Sequence, residues 1–336
     1  MSCNGIGAAR PSAEIPAMSA PRIAGEVRHP GLADYGLLFG LSLLWGSSFY
    51  AIKVAVEHGM PPMTLASLRV GIGAVTLLLV SRLLGQNPPA VGGRQGKRLW
   101  LRIVILGVIG NSLPFFLIAS GEETTTSQLA GILMATIPIM VVILAHFFTR
   151  DERLSFVRFA GVALGFAGMI VLVGVDALRG LGEQVVGQLL IIGGCVSYSL
   201  YGVNAKRLPK LPPHILIGVI LAAGFFAMLP FWLVIDRPWA LVWDWRAVVA
   251  ALWLGVAATG GGNLLYYVLM RRVAVGFASL NNYLVPVLAL GWGYFLLGEQ
   301  PHLNALLALA LILAGLALPR VAALRSRSTA SPTRRD

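Results

Sequence analysis

The chain has 336 residues, 57% of them hydrophobic and only 12% charged, with a mean hydropathy of +0.78. A soluble domain of this size carries about 25% charged residues, so the composition excludes a water-soluble fold and sends the excess apolar surface to lipid. The basic balance, net +12 with a pI near 10.4, would suggest nucleic acid in a soluble protein; here its placement assigns it to the loops of a membrane protein.

Residues 1–32 are rich in Pro, Gly, Ala and Arg and lack an apolar core of signal-peptide length. They read as a disordered cytoplasmic tail. Ten apolar runs follow, near 33–56, 62–84, 99–120, 127–149, 155–175, 186–206, 214–235, 246–270, 274–297 and 302–320. Each approaches the roughly 20 residues a helix needs to cross the hydrocarbon layer. Stretches such as Gly161 to Val175 show no alternation, which argues against β-barrel strands. Residues 321–336 form a basic cytoplasmic tail, expected to be disordered from 325 onward.

The breaks between runs alternate in charge. One set carries Arg94, Lys97 and Arg98, then Arg150 and Arg153, then Lys206, Arg207 and Lys210, then Arg271 and Arg272. The other set carries Glu57, Glu122, Glu123, Asp176, Glu183, Asp236, Asp244 and Glu299, with few cations. The positive-inside rule then places both termini in the cytoplasm of a multi-pass protein of the inner (plasma) membrane. An even number of spans is required, and ten satisfies it.

The chain also repeats itself. Ser48-Phe49-Tyr50 answers to Ser199-Leu200-Tyr201, Pro61-Pro62 to Pro212-Pro213, Pro138 to Pro286, Glu152 to Glu299 and Gly168 to Gly315, at offsets between 147 and 151. Two halves of five spans follow, at 33–175 and 186–320. Because five is odd, the second half is inverted in the membrane, a plan of secondary transporters with the site between the halves.

Leu44-Trp45-Gly46-Ser47-Ser48-Phe49, Lys53 and Leu68-Arg69 resemble the opening of a repeat of the EamA family of the drug/metabolite transporter superfamily. Pro138, Glu152-Arg153-Leu154 and Gly161 to Gly168 extend the resemblance, and Pro286, Leu297-Gly298-Glu299 and Gly315 carry it into the second half. The second half departs from the pattern: Ile220 stands where Arg69 would fall and Asn204 where Lys53 would. The resemblance implies an all-α membrane protein, with ten transmembrane helices in two inverted five-helix repeats around a central cavity. It also implies export of amino acids or related metabolites.

Lys53 and Arg69 are the charges expected inside apolar runs. Embedded cations usually face a bundle interior or a water-filled cavity, where they can hold a substrate carboxylate or a gate. Snorkelling or capping of carbonyls is the bland alternative, with Glu57 one turn from Lys53 as a ready partner. Polar and aromatic groups recur at mid-span, and Trp45, Ser48, Tyr198, Tyr201 and Asn282 are the chosen cavity candidates. Pro138 and Pro286 are candidate helix kinks that free a carbonyl. Gly36/Gly40 and Gly161/Gly165 have the spacing of close helix packing. No acidic residue falls at mid-span, which weighs against a proton relay or a cationic-drug pump.

Cys3 and Cys195 have no metal-type spacing, the five histidines are scattered, and no nucleophile–base pair or Walker loop stands out. No metal, cofactor or catalytic residue is expected. The expected partners are a small-molecule substrate and the bilayer, without nucleic acid and with a monomer as the working form. The leading reading is a secondary transporter of small polar metabolites such as amino acids, working by alternating access. A carrier of phosphorylated or nucleotide-linked metabolites, or a membrane protein that transports nothing, remain as alternatives.

Overall fold

The computed structural model describes residues 30–86, 93–148, 156–178, 183–205, 208, 212–273, 275–278 and 280–329. The expected tails at 1–29 and 330–336, the basic loop residues Arg150, Arg153, Lys206, Arg207 and Lys210, and the motif at Glu152-Arg153-Leu154 lie outside the described residues.

Besides a 3-10 turn at Pro238–Ala240, the described chain holds ten helical segments, and no strand occurs among the described residues. They are α1 (Leu32–Glu57), α2 (Pro62–Leu83), α3 (93–122), α4 (127–148), α5 (Phe156–Leu178), α6 (Glu183–Ala205), α7 (Pro213–Ile235), α8 (245–272), α9 (275–297) and α10 (Leu303–Thr329). Six are long and apolar enough to cross a membrane, and shorter apolar stretches lie in α4, α5 and α10. In lipid every backbone N–H and C=O must find a partner within the protein, which selects helices. Local signals set their ends. Pro62 and Pro213 open α2 and α7, where a missing N–H costs nothing. Gly298, at φ 68°, closes α9 in the left-handed conformation that favours glycine.

The helices pack as two interlocked copies. The pair α1–α9 is answered by α6–α4, α3–α7 by α8–α2, and α3–α6 by α8–α1, while α2–α7 and α5–α10 are each their own counterpart. The expected plan of two inverted five-helix repeats is therefore the plan of the fold. The chain is an all-α, multi-pass membrane protein.

Four of the helices are interrupted, in matching pairs. α3 contains a π-helical segment at Val108–Ser112, and α8 contains one at Trp253–Gly261. α4 breaks between Ser127–Met134 and Ile137–Phe148, and α9 between Val275–Ala278 and Asn281–Leu297. The hydropathy pattern sees only continuous apolar runs at these places.

Two expectations need correction. Gly36 and Gly40 were expected in a close helix contact, but a Cβ at Gly36 would meet nothing within 4 Å and one at Gly40 only Leu265 at 4.0 Å. Spacing alone does not say which face of a helix meets a partner. Gly161 is the close approach: a Cβ there would lie 2.6 Å from the Gly315 carbonyl oxygen, with α10 pressed onto α5. The basic tail expected from 321, disordered from 325, instead continues α10 to Thr329, since its Ala, Leu and Arg are strong helix formers.

Gly161→Ala should overpack the α5–α10 seam and cost about 1–3 kcal/mol, lowering the thermal unfolding midpoint in detergent. Gly36→Ala should hold or raise it, because Ala is the better helix former by about 1 kcal/mol. Equal midpoints for the two variants would contradict the packing described.

Candidate functional site

A cavity of about 500 Å³ lies between the two repeats, within the usual range for small-molecule sites of roughly 300–1,000 Å³. Its walls come from the interrupted helices and from α1, α2, α6 and α7. Both π segments face it, through Gly110 and Asn111 on α3 and through Ala258 and Thr259 on α8. A π turn shifts the backbone hydrogen-bond register and leaves a carbonyl to be satisfied elsewhere. In α3 that partner comes from Ser197 on α6, whose Oγ donates to the Ile109 carbonyl at 2.6 Å. In α8 it comes from Trp45 on α1, whose Nε1 donates to the Ala258 carbonyl at 3.1 Å. The two bonds are counterparts across the repeats, made with different side chains.

The sequence candidates separate into groups. Trp45, Ser48, Arg69, Tyr198, Tyr201 and Asn282 all line the cavity, as do Pro138 and Pro286. Trp45 also packs against Tyr266, with ring centroids 5.6 Å apart. Ser48 turns its hydroxyl back to the Leu44 carbonyl at 3.4 Å. Pro138 is the second residue of the second part of α4, just past the break, whereas Pro286 lies inside the longer part of α9. Lys53 is not on the cavity wall. Its Nζ donates to the carbonyls of Glu122 at 2.8 Å and Thr125 at 2.9 Å, and faces Glu57 at 3.6 Å. It caps the end of α3.

Arg69 is the embedded cation of the cavity. The residue is 9% exposed. Its Nε donates to Thr259 Oγ1 at 3.1 Å, and its Cζ sits 3.9 Å from the centre of the Phe115 ring. No carboxylate pairs with it among the described residues. A guanidinium stays charged at any ordinary pH and presents a planar fork of donors. One edge of that fork is held by Thr259 and its face by Phe115. The remaining donors have no protein acceptor among the described residues.

The end of the molecule that carries the start of α1 and the end of α10 is called here the terminal end, and the opposite one the distal end. Lining residues toward the distal end, namely Ile52, Arg69, Ile118 and Gly131, are buried. Val141, Tyr201, Ile217 and Tyr266, toward the terminal end, are partly exposed. Ala278 and Asn281, near the start of α9, are buried on the same wall. The distal end is tied shut. Besides the Lys53 cap, Glu299 at the end of α9 accepts from the backbone N–H groups of Ser127 and Gln128 and from Ser127 Oγ, at 2.8, 3.1 and 2.9 Å. Asp236 accepts likewise from the N–H and hydroxyl of Thr64 in the first turn of α2. Each carboxylate satisfies orphan donors at the positive end of a helix from the other repeat. In the same region burial, and then the neighbouring Asp236, raise the Glu123 carboxyl above its ordinary range.

Sequence reasoning missed Phe115 and Thr259, which look like ordinary span residues until the fold places them on Arg69. It also missed Glu122. The acidic residues were read as loop residues, yet Glu122 ends α3 wholly buried, with neither carboxylate oxygen hydrogen-bonded.

Glu299→Gln should cost about 1–2 kcal/mol, since an amide cannot accept from three donors as a carboxylate does. A drop in thermal midpoint that Glu57→Gln does not reproduce would register it. No drop would mean the bonds contribute nothing.

With the geometry in view, known proteins compare as follows. The EamA-like transporter family matches residues 34–174 and 185–319. The uncharacterized transporter YoaV of Bacillus subtilis (strain 168) is 24% identical over 286 residues, 83% of this chain and 94% of its own. The uncharacterized inner membrane transporter YedA of Escherichia coli (strain K12) is 28% identical over 288 residues, 83% of this chain and 87% of its own. The aromatic amino acid exporter YddG of Ancylobacter novellus is 28% identical over 254 residues, 75% of this chain and 84% of its own. One crystal structure superposes with a TM-score of 0.61 at 24% identity, over 87% of this chain and 98% of that chain, which bears on the fold alone. Matched through both halves, the chain belongs to the EamA-like transporter family.

Proposed function

We propose that this membrane transporter carries small carboxylate-bearing metabolites, amino acids foremost, by alternating access between its two repeats. One observation carries the reading: Arg69 is buried on the cavity wall with no carboxylate partner among the described residues. A buried, unpaired charge is costly, and a substrate carboxylate gripped by the free donors would relieve that cost. The rest of the wall suits the remainder of an amino acid. Phe115, Tyr198, Tyr201 and Trp45 offer apolar faces, and Asn282 an amide oxygen for an ammonium group. The likeness to an aromatic amino acid exporter supports the same substrate class. A phosphate dianion would call for more than one guanidinium, which favours carboxylates over phosphorylated metabolites.

The alternating charge of the loops supports a cytoplasmic terminal end. The ties made by Lys53, Glu299 and Asp236 would then close the outer end, which suits a loading state for export.

Uptake of a panel of amino acids, other carboxylates and phosphorylated metabolites into proteoliposomes tests the reading. Carboxylates should move. Arg69→Ala should weaken the apparent affinity at least about tenfold, roughly 1.4 kcal/mol. Arg69→Lys should recover part of it, having the charge without the fork. Flux of carboxylates unaltered in Arg69→Ala, or flux confined to compounds without a carboxylate, would overturn it.

A further inference from the structure

The α3–α4 corner at the distal end holds a carboxyl group that the transport reading does not use. Glu122 is 0% exposed, and neither Oε1 nor Oε2 has a hydrogen-bond partner. It does not line the cavity. Charges do face it: Lys53 and Glu57 from α1, Arg69 from α2 and Glu299 from the end of α9. α6 meets this corner with Gly187 and Ile191, which carry no charge.

The decisive geometry is at Lys53. An ammonium has three N–H donors. Two are spent on the carbonyls of Glu122 and Thr125, and Glu57 takes the remaining direction at 3.6 Å. Arg69 is turned to Thr259 and Phe115. Glu299 is itself an acceptor, occupied by Ser127 and Gln128. The nearest cation therefore holds the backbone of Glu122 and leaves its side chain without a donor. A dry carboxylate with no donor is costly, and a carboxylic acid far less so.

We propose that Glu122 is a proton-binding site tied to the opening of the distal end. It holds a proton while Lys53 caps the α3–α4 corner, and gives it up when Lys53 leaves the carbonyls and pairs with the freed carboxylate. The step balances simply. The Glu122 O–H bond breaks, the proton passes to water entering the corner, and the ammonium keeps its three hydrogens while exchanging carbonyl acceptors for a carboxylate. The two carbonyls released are then hydrated by the same water. By linkage, raising the pH favours the open distal end, because that form has one proton fewer. The inference rests on the alternating-access reading, but its test uses no substrate, so it can fail while transport stands.

The probe is a membrane-impermeant maleimide, applied to protein in nanodiscs in a Cys3→Ser/Cys195→Ala background. Thr125→Cys places a thiol at the cap, where the native side chain is 3% exposed. Thr126→Cys, one residue on and exposed, corrects for the pH dependence of alkylation itself. The ratio of the two rates should rise several-fold from a buffer at about pH 5 to one at about pH 9. Glu122→Gln, a fixed stand-in for the neutral acid, should hold the ratio low at every pH, and Glu122→Asp should keep the rise. Glu123→Gln, altering the neighbouring carboxyl, should also leave it intact. A flat ratio in the background protein overturns the proposal. So does a rise that survives Glu122→Gln or disappears in Glu123→Gln. Should Glu122→Gln not fold, the Asp and Glu123 variants still decide.

Discussion

The whole structure depends on one constraint: a backbone polar group inside lipid must be satisfied by the protein. Unbroken helices meet it alone. This chain breaks or widens four of its ten helices near the centre, and each interruption creates groups that need a partner. Ser197 supplies one for α3 and Trp45 one for α8, each from the opposite repeat. The distal helix starts follow the same rule, with Glu299 on α4 and Asp236 on α2. The bonds that repair the backbone are thus bonds between the two halves. They also bring Trp45, and the π turns themselves, to the cavity wall.

This is how a largely apolar cavity, in a chain that is 57% hydrophobic, comes to carry polar groups on its wall. Asn111, Thr259, Asn281 and Asn282 stand at or beside the irregular parts of α3, α8 and α9, and irregular backbone in a membrane is tolerated where it is buried in protein or lines a water-filled space. Asn263 shows the economy of the arrangement. Its Nδ2 donates to the Thr259 carbonyl at 2.7 Å within the widened part of α8, and the residue also lines the cavity. Thr259 uses its carbonyl for Asn263 and its hydroxyl for Arg69.

Much of this was legible beforehand, for reasons that can be named. Hydropathy marks a span because lipid asks for about 20 apolar residues, so the ten segments fell within a few residues of expectation, apart from the ends of α3 and α10. The repeat was legible because prolines and glycines at helix starts and seams are hard to replace. The π segments were not, because widening a helix by one residue per turn leaves its apolar character intact; the small residues around Gly110, Gly255 and Gly260 were the available trace. Glu122 was misread because a carboxylate beside a loop usually reaches water. The return of the chain through Thr124 to Thr126 into α4, with Lys53 over the corner, closes that route.

The departures between the repeats carry the remaining information. Asn204 stands where Lys53 would fall, and its amide donates to the Leu200 carbonyl of its own helix at 2.8 Å, reaching no neighbour's end. Lys53, by contrast, bridges α1 to the α3–α4 corner. Two inverted halves with identical side chains would close either end equally well. Among the described residues the long cationic cap is seen on one side, at the α3–α4 corner. Ile220 in place of a second Arg69 has a parallel effect on the cavity, which gains one anion-seeking group instead of two. In the alternating access proposed above, the symmetry of the backbone would allow two related packings. The asymmetry of Lys53 and Arg69 would make those two packings chemically different, so that in the proposed cycle a bound carboxylate or a titrating group has something to discriminate between.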